Sequence, residues 1–288
     1  MKVEDLSSLP VDAAPTIAQA DIAFGRAPDG RSHVARSRVG YPFHLGRQLD
    51  LPGDPAGMAS VYLQSCSGGL FEHERIGARF TAEPGAMAHV ATGASTIVHT
   101  MPTGEAQQCI RLTVKPGALL EYLPEPTILF PGARLTNRLS IDLGDDAVCI
   151  TGEALLPHDP LGADAYFDWM DAAMEVRDSG GALLARDRQR LTGADFARPL
   201  PGVLGRWRAQ GTLLFALRGS RIEPLLEAVR AALDVPGLYA GASRLPNGCG
   251  VWTRLLAADA VALRAGWQAA WVAARTLLTG VAPQPRRR

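Results

Sequence analysis

The fold class of this chain is decided by residues 109–143, which read CIRLTVKPGALLEYLPEPTILFPGARLTNRLSIDL. Short apolar runs alternate there with two Pro-Gly-Ala turns, at 116–118 and 131–133. Proline fixes the φ angle of the second turn position, and glycine accepts the positive φ that a type II turn requires at the third. The stretch therefore predicts short β-strands that are joined by tight turns.

The same pattern extends in both directions and covers residues 39–153. A third Pro-Gly-Ala turn lies at 84–86, between two further apolar runs. The intervals between the three turns are unequal, so they define no fixed-period repeat. We expect a mainly β fold of stacked, strand-rich sheets, either β-helix-like or sandwich-like.

The C-terminal half adds a hairpin and about two α-helices. A hairpin is predicted at 174–191, where two apolar runs flank Asp-Ser-Gly-Gly. A helix is predicted over 220–234, where Ser220 and Glu223 have the spacing of a capping box. A strand over 251–256 precedes the last helix, which we expect at 259–279, with an apolar stripe that includes two tryptophans.

The predicted domain division has three parts. Residues 1–38 are polar and weakly periodic, which indicates a loosely ordered N-terminal arm, and 32–38 alternates too weakly to predict a strand. Residues 39–285 form a single β-rich domain, and residues 286–288 form a basic tail.

Composition narrows the classes of partner and compartment. Lys plus Arg and Asp plus Glu each total 29, so the formal net charge is zero, and no chain-wide attraction to nucleic acid or an anionic membrane is expected. No apolar stretch approaches the roughly 20 residues of a spanning helix, and residues 1–10 lack the pattern of a secretory signal. A cytoplasmic protein with four free cysteine thiols is therefore expected.

Familiar catalytic motifs are absent from the sequence. It contains no Gly-x-Ser-x-Gly elbow, no phosphate-binding loop and no His-Glu-x-x-His pair. The densest polar cluster is 66–75, in which Cys66, Glu72, His73 and Glu74 could ligate a borderline metal such as nickel. On an extended chain His73 faces away from the glutamates, so joint ligation requires a bend. The alternative is a solvated, charged loop.

Several segments, in chain order, resemble the urease accessory protein D family. The most specific is 117–130, GALLEYLPEPTILF, which is similar to the family's Gly-Ala-x-Leu-Glu-Trp-Leu-Pro-Gln-Glu-Thr-Ile-x-Phe. The other resembling segments are 65–76, 91–99, 104–108, 174–191 and 277–280. The resemblance covers roughly residues 39–285, with His73-Glu74 where the family has Gly-Asp.

The resemblance implies a non-enzymatic role in loading nickel into apo-urease. The expected partners are the F and G accessory proteins, of which G is a GTPase, and the apo-urease subunits. Nickel would be in transit along an internal channel, with no tightly bound cofactor. The residues we expect on its path are Glu74, which stands where the family has its Asp, Glu153, which follows a predicted strand that ends at 151–152, and His73. Two alternatives stay open, which are a β-rich adaptor that only bridges partners and an unrecognised hydrolase.

Overall fold

The computed structural model describes residues 18–198 and 200–284, which form two stacked β-sheets and three α-helices. The helices are α1 (Gly193–Ala197), α2 (Ile222–Ala232) and α3 (Ala260–Thr279). The strands are β1 (Ala20–Arg26), β2 (Ser32–Val39), β3 (Phe43–Leu45), β4 (Ala59–Ser65), β5 (Arg75–Ala82), β6 (Met87–Thr92), β7 (Thr96–Val98), β8 (Ala106–Val114), β9 (Leu119–Leu123), β10 (Thr127–Leu129), β11 (Arg134–Leu143), β12 (Val148–Pro157), β13 (Trp169–Asp178), β14 (Leu183–Thr192), β15 (Ala209–Ala216), β16 (Leu238–Arg244) and β17 (Gly250–Ala257). The predicted mainly β fold with C-terminal helices is confirmed.

The two sheets differ in size and in the helices that they carry. Sheet one has seven strands in the order β14-β13-β11-β8-β5-β1-β2. Sheet two has ten strands, with β16-β17-β15-β12-β9-β6-β4-β3 as its main path; off this path β10 pairs with β12, and β7 pairs with β10. Helices α2 and α3 pack on β15, β16 and β17 of sheet two.

Between β5 and β13 the chain coils from one sheet to the other. Neighbouring strands within each sheet are parallel there, with Arg75 beside Gln107 and Gln107 beside Thr136 in sheet one. Turns of successive coils stack on each other, because the Gly85 amide donates to the Pro116 carbonyl and the Gly117 amide to the Asp145 carbonyl. The turn at 131–133 lies at another corner, against Met101, which explains the unequal intervals. The coils therefore repeat regularly, whereas the Pro-Gly-Ala turn does not occur at the same corner each time.

Alternation of side chains builds the core between the sheets. Phe24, Phe80 and Leu112 of sheet one are buried against residues of sheet two such as Val90 and Leu120. A second apolar cluster lies on the far side of sheet two, where Phe215 and Leu213 pack under α2 and α3. Sheet two is therefore buried on both faces over much of its width, as its long apolar runs require.

The predicted loose arm over 1–38 is wrong for the part of it that the structure describes. Residues 20–26 form β1, which runs parallel to β5 with Ala20 beside Ala78, and its alternate residues Ala20, Ile22 and Phe24 are buried. Residues 32–39 form β2, an edge strand that is mostly exposed, so its sequence has little apolar alternation to detect. Residues 1–17 and the predicted tail at 286–288 lie outside the described residues.

The C-terminal elements match their prediction closely. Strands β13 and β14 form the antiparallel hairpin, and α2, β17 and α3 occupy the expected segments. The Asp259 carboxylate accepts from the Ala262 amide at the start of α3, and Gly280 ends the helix with a φ of 76°. The expected capping box at 220–223 is wrong, because α2 begins after Arg221 without a side-chain cap. Among the described residues no helix is long and apolar enough to span a bilayer.

Candidate functional site

A cavity of about 410 Å³ lies between the two sheets. Sheet one contributes side chains such as Gln108 and Asn137, and sheet two contributes Tyr122 and Glu153. Two loops, 65–70 and 93–96, line one end of the cavity, and several of their residues are exposed. The cavity therefore runs from the surface at the glycine-rich loop into the space between the sheets.

Glu153 is held inside this cavity by side-chain amides from sheet one. Its Oε2 accepts a hydrogen bond from Asn137 Nδ2 at 2.9 Å, and its Oε1 accepts from Gln189 Nε2 at 2.6 Å. Burial raises the pKa of Glu153 above its ordinary value, and the Asp187 carboxylate acts in the same direction, although both amides and Arg254 oppose it. The carboxylate is thus half-buried, oriented and poorly solvated.

The residues around Glu153 form one polar network between the sheets. Arg254 NH2 donates to both carboxylate oxygens of Asp187, at 2.7 and 2.6 Å, and Arg254 NH1 donates to Gln189 Oε1 at 2.7 Å. Gln210 also donates to Gln189. The Oδ1 atom of Asn137 is buried and accepts no hydrogen bond within the described residues. An unused amide oxygen and a carboxylate thus belong to side chains that meet across the cavity.

The structure separates the three residues predicted to bind nickel. Glu153 lies within β12, which continues to Pro157 rather than ending before it as expected, while the other two lie on the turn that precedes β5. The Glu74 carboxylate accepts from the Phe71 amide at 2.8 Å. His73 is exposed, and its φ of 67° provides the bend that joint ligation needs. Neither Glu74 nor His73 lines the cavity.

The bend brings His73 toward the Glu72 carboxylate, which already accepts hydrogen bonds from backbone amides. His73 Nε2 lies 4.0 Å from Glu72 Oε2, while Glu72 Oε1 accepts hydrogen bonds from the Thr103 and Gly104 amides. These amides lower the pKa of Glu72. Throughout 18–198 and 200–284, no group of three or more His, Cys, Asp or Glu side chains is placed to hold a metal ion.

Sequence reasoning missed Asn137, Asp187, Gln189, Gln210 and Arg254. They lie on four different strands, so no local spacing links them. A weak signal was present, because Asn137 interrupts an inward-facing apolar series at the position between Leu135 and Leu139. A polar residue at an inward position of a strand marks a buried network, a cavity or both.

A second buried polar group joins α3 to sheet two. Glu121 Oε2 lies 2.5 Å from His89 Nδ1 and accepts from Arg275 NH2 at 2.9 Å, and Arg275 NH1 donates to Asp54 Oδ1 at 2.8 Å. Burial alone would raise the pKa of Glu121, but His89, Arg275 and Trp271 together lower it. His89, Glu121 and Arg275 are completely buried, so this group anchors the helix.

Known proteins are similar to this chain along all the residues that the structure describes. The family model for the UreD urease accessory protein matches residues 17–288. Urease accessory protein UreD 1 of Pseudomonas syringae pv. syringae (strain B728a) is 48% identical, with 98% of each chain covered. UreD 1 of Methylorubrum populi is 37% identical over 100% of this chain and 99% of the relative, and UreD of Haloarcula marismortui is 34% identical over 93% and 89%. With its stacked sheets and internal polar cavity, the chain belongs to the UreD family of urease accessory proteins.

Proposed function

We propose that this protein is a non-enzymatic nickel-insertion factor, which works with the F and G accessory proteins on apo-urease in the cytoplasm. The observation that carries the proposal is the cavity between the sheets, with the Glu153 carboxylate on one wall and Asn137, whose Oδ1 accepts no hydrogen bond within the described residues, on the facing wall. Nickel is the cargo in this proposal, and it passes through the protein without becoming a resident cofactor.

The ligand chemistry suits transfer better than storage. Two neighbouring oxygen donors attract a dication but fall short of the full donor set that a closed site offers. The raised pKa of Glu153 adds to this, because a proton competes with the metal for the carboxylate. An ion held by so few ligands exchanges readily and can move on to a stronger site.

In this proposal Glu74 and His73 bind nickel transiently at the surface and are not part of the cavity wall. Both lie on the turn that follows the glycine-rich loop 65–70, and that loop lines the outer end of the cavity. Carboxylate and imidazole groups there would concentrate nickel near the entrance. In this proposal the path runs from the turn, past the loop, to Glu153.

The test is urease activation in cells that carry Glu153→Gln, with Glu74→Ala as a separate variant. Glutamine retains the size of Glu153 and a hydrogen-bonding oxygen but removes the negative charge, so activation should fall severalfold while complex assembly is unchanged. Glu227→Gln, at an exposed position on α2, is the matched control. Assembly is checked by co-purification with the F and G accessory proteins and apo-urease.

The adaptor alternative gives the opposite result in the same experiment. If the protein only bridges its partners, Glu153→Gln activates urease fully, and the cavity carries no nickel. Full activation by Glu74→Ala with loss in Glu153→Gln would confine the path to the cavity. If this protein is instead a hydrolase, the variants would lose a chemical activity that does not depend on urease.

A further inference from the structure

The outer face of sheet one carries a large excess of positive charge, although the chain as a whole is neutral. Alternate residues of its strands are buried in the core, so the residues between them face outward. Eleven arginines occupy these outward positions: Arg36, Arg38, Arg75, Arg79, Arg111, Arg134, Arg138, Arg177, Arg186, Arg188 and Arg190. Six carboxylates share the face or its rim: Asp21, Asp142, Asp171 and Glu175 on the strands, with Glu105 and Asp168 directly before β8 and β13.

Five of the six carboxylates already pair with an arginine of the same face, and Glu105 accepts hydrogen bonds from the Gln107 and Thr136 side chains. Asp21 pairs with Arg36 at 2.9 Å, Asp142 pairs with Arg111 at 3.0 Å, and Asp171 and Glu175 each pair with two arginines. The negative charge of the face is therefore fully engaged. What remains to interact with another molecule is cationic.

The surplus is concentrated at one end of the sheet. Arg38 on β2 and Arg79 on β5 lie on either side of Asp21 in the register of β1, and Arg75 lies on β5 four residues before Arg79. These three arginines make no ion pair within the part of the chain that the structure describes. We call Arg38, Arg75 and Arg79 the arginine cluster.

The described helices leave this surface open. Helices α2 and α3 pack on sheet two, and α1 contacts only the rim of sheet one beside β14. The formal net charge of the chain is zero, so the basic residues of this face are balanced by acidic residues elsewhere in the sequence. The described part of the molecule thus presents a basic sheet on one side.

We propose that the outer face of sheet one is a docking surface for an acidic protein surface, with the arginine cluster as its main contact. Arginine presents a planar fork that matches carboxylates in a bidentate way. A sheet with interspersed carboxylates fits a protein surface better than a duplex, whose closely spaced phosphates those carboxylates would repel. The docking partner therefore presents a patch of Asp and Glu side chains.

The test compares two triple variants of the full-length protein. One is Arg38→Glu with Arg75→Glu and Arg79→Glu, and it reverses the arginine cluster. The matched control is Arg47→Glu with Arg218→Glu and Arg221→Glu, which makes the same charge change at exposed positions outside sheet one. Binding to purified apo-urease and to the F and G accessory proteins is measured across a sodium chloride series, with a short duplex DNA as the competing probe.

The proposal expects the wild-type complex with at least one of these proteins to weaken steeply with salt. The cluster variant should bind that partner at least about tenfold more weakly at physiological salt, while the control changes by less than about twofold. Equal binding by the cluster variant and the wild type overturns the docking surface and leaves the proposed function intact. No binding by the wild type to any of the proteins overturns both. If duplex DNA binds the wild type with the same salt dependence, and the cluster variant no longer binds it, the proposal of an acidic protein partner is overturned. Thermal unfolding of both variants confirms that they are folded.

Discussion

Asn137 Nδ2 lies 2.9 Å from Glu153 Oε2, and this hydrogen bond crosses from one sheet to the other. The two residues belong to β11 and β12, consecutive strands that the coil places on opposite walls of the same cavity. The distance between the walls at this point is therefore the length of two polar side chains. Substitutions of Asn137 or Glu153 therefore change the electrostatics of the cavity as well as its packing.

Glu153→Gln should stabilise the protein at neutral and alkaline pH. The pKa of Glu153 is raised above 4.5 in the folded state, so the folded protein holds a proton that the unfolded chain releases. Wild-type stability therefore falls as pH rises from 4.5 through the raised pKa, whereas glutamine has no charge to desolvate. Melting temperatures should be similar below pH 4.5 and higher for the variant above the folded pKa. A melting-temperature difference that does not depend on pH would contradict this prediction.

Arg275→Met should destabilise the protein strongly. Methionine fills similar space but leaves the Asp54 and Glu121 carboxylates without their shared guanidinium, in a site with no exposure at Glu121. Removing one partner of a buried ion pair costs about 3–5 kcal/mol. The control is Arg264→Met, whose pair with Glu125 is partly exposed and is worth less than about 1 kcal/mol. The free energy of unfolding in urea, measured for both variants, decides between these expectations.

Gly152→Ala should also be destabilising, for a steric reason. A Cβ atom at this position would lie 2.1 Å from the Thr212 carbonyl oxygen and 2.6 Å from the Trp267 ring. Because backbone on one side and a helix on the other prevent relief, we expect a loss of at least about 1–3 kcal/mol. Gly241→Ala on the edge strand β16 meets open space and should change stability by less than about 0.5 kcal/mol. Equal effects of the two substitutions on urea unfolding would refute the steric account.

The four cysteines should react with a thiol reagent at very different rates. Cys66 is exposed at the outer end of the cavity, whereas Cys149 and Cys249 are buried. Burial raises the pKa of Cys249 to about 11 and raises that of Cys149 further, so little reactive thiolate forms at neutral pH. Burial also raises the pKa of Cys109. We expect one fast thiol in the native protein, absent in Cys66→Ser, and four after unfolding.

The fold was predictable because its rules are local. Pro-Gly turns and short apolar runs predict strands and their connections, and the capping residue Asp259 with Gly280 predicts the limits of α3. Strands β1 and β2 were missed because β1 has only two large apolar residues, Ile22 and Phe24, and β2 is an exposed edge strand. Strands β15 and β16 were also not predicted. Pairing between Ala20 and Ala78 has no local sequence signal.

The candidate site was less predictable because it is assembled over long sequence separations. Glu153 was named from its place near a strand, but its partners Asn137 and Gln189 come from two strands of the other sheet. Glu74 follows a recognisable glycine pair, yet its carboxylate caps a turn amide. A residue's sequence neighbourhood indicates its element, whereas its side-chain partners depend on the coil register.

The contact between Arg275 and Asp54 joins residues that are 221 positions apart. During synthesis the loop that contains Asp54 emerges well before its guanidinium partner. The coils between β5 and β13 can stack in the order in which they are made, but the surface under α3 stays uncovered until α3 itself has been made. The newly made chain therefore exposes the apolar back of sheet two until that helix packs on it.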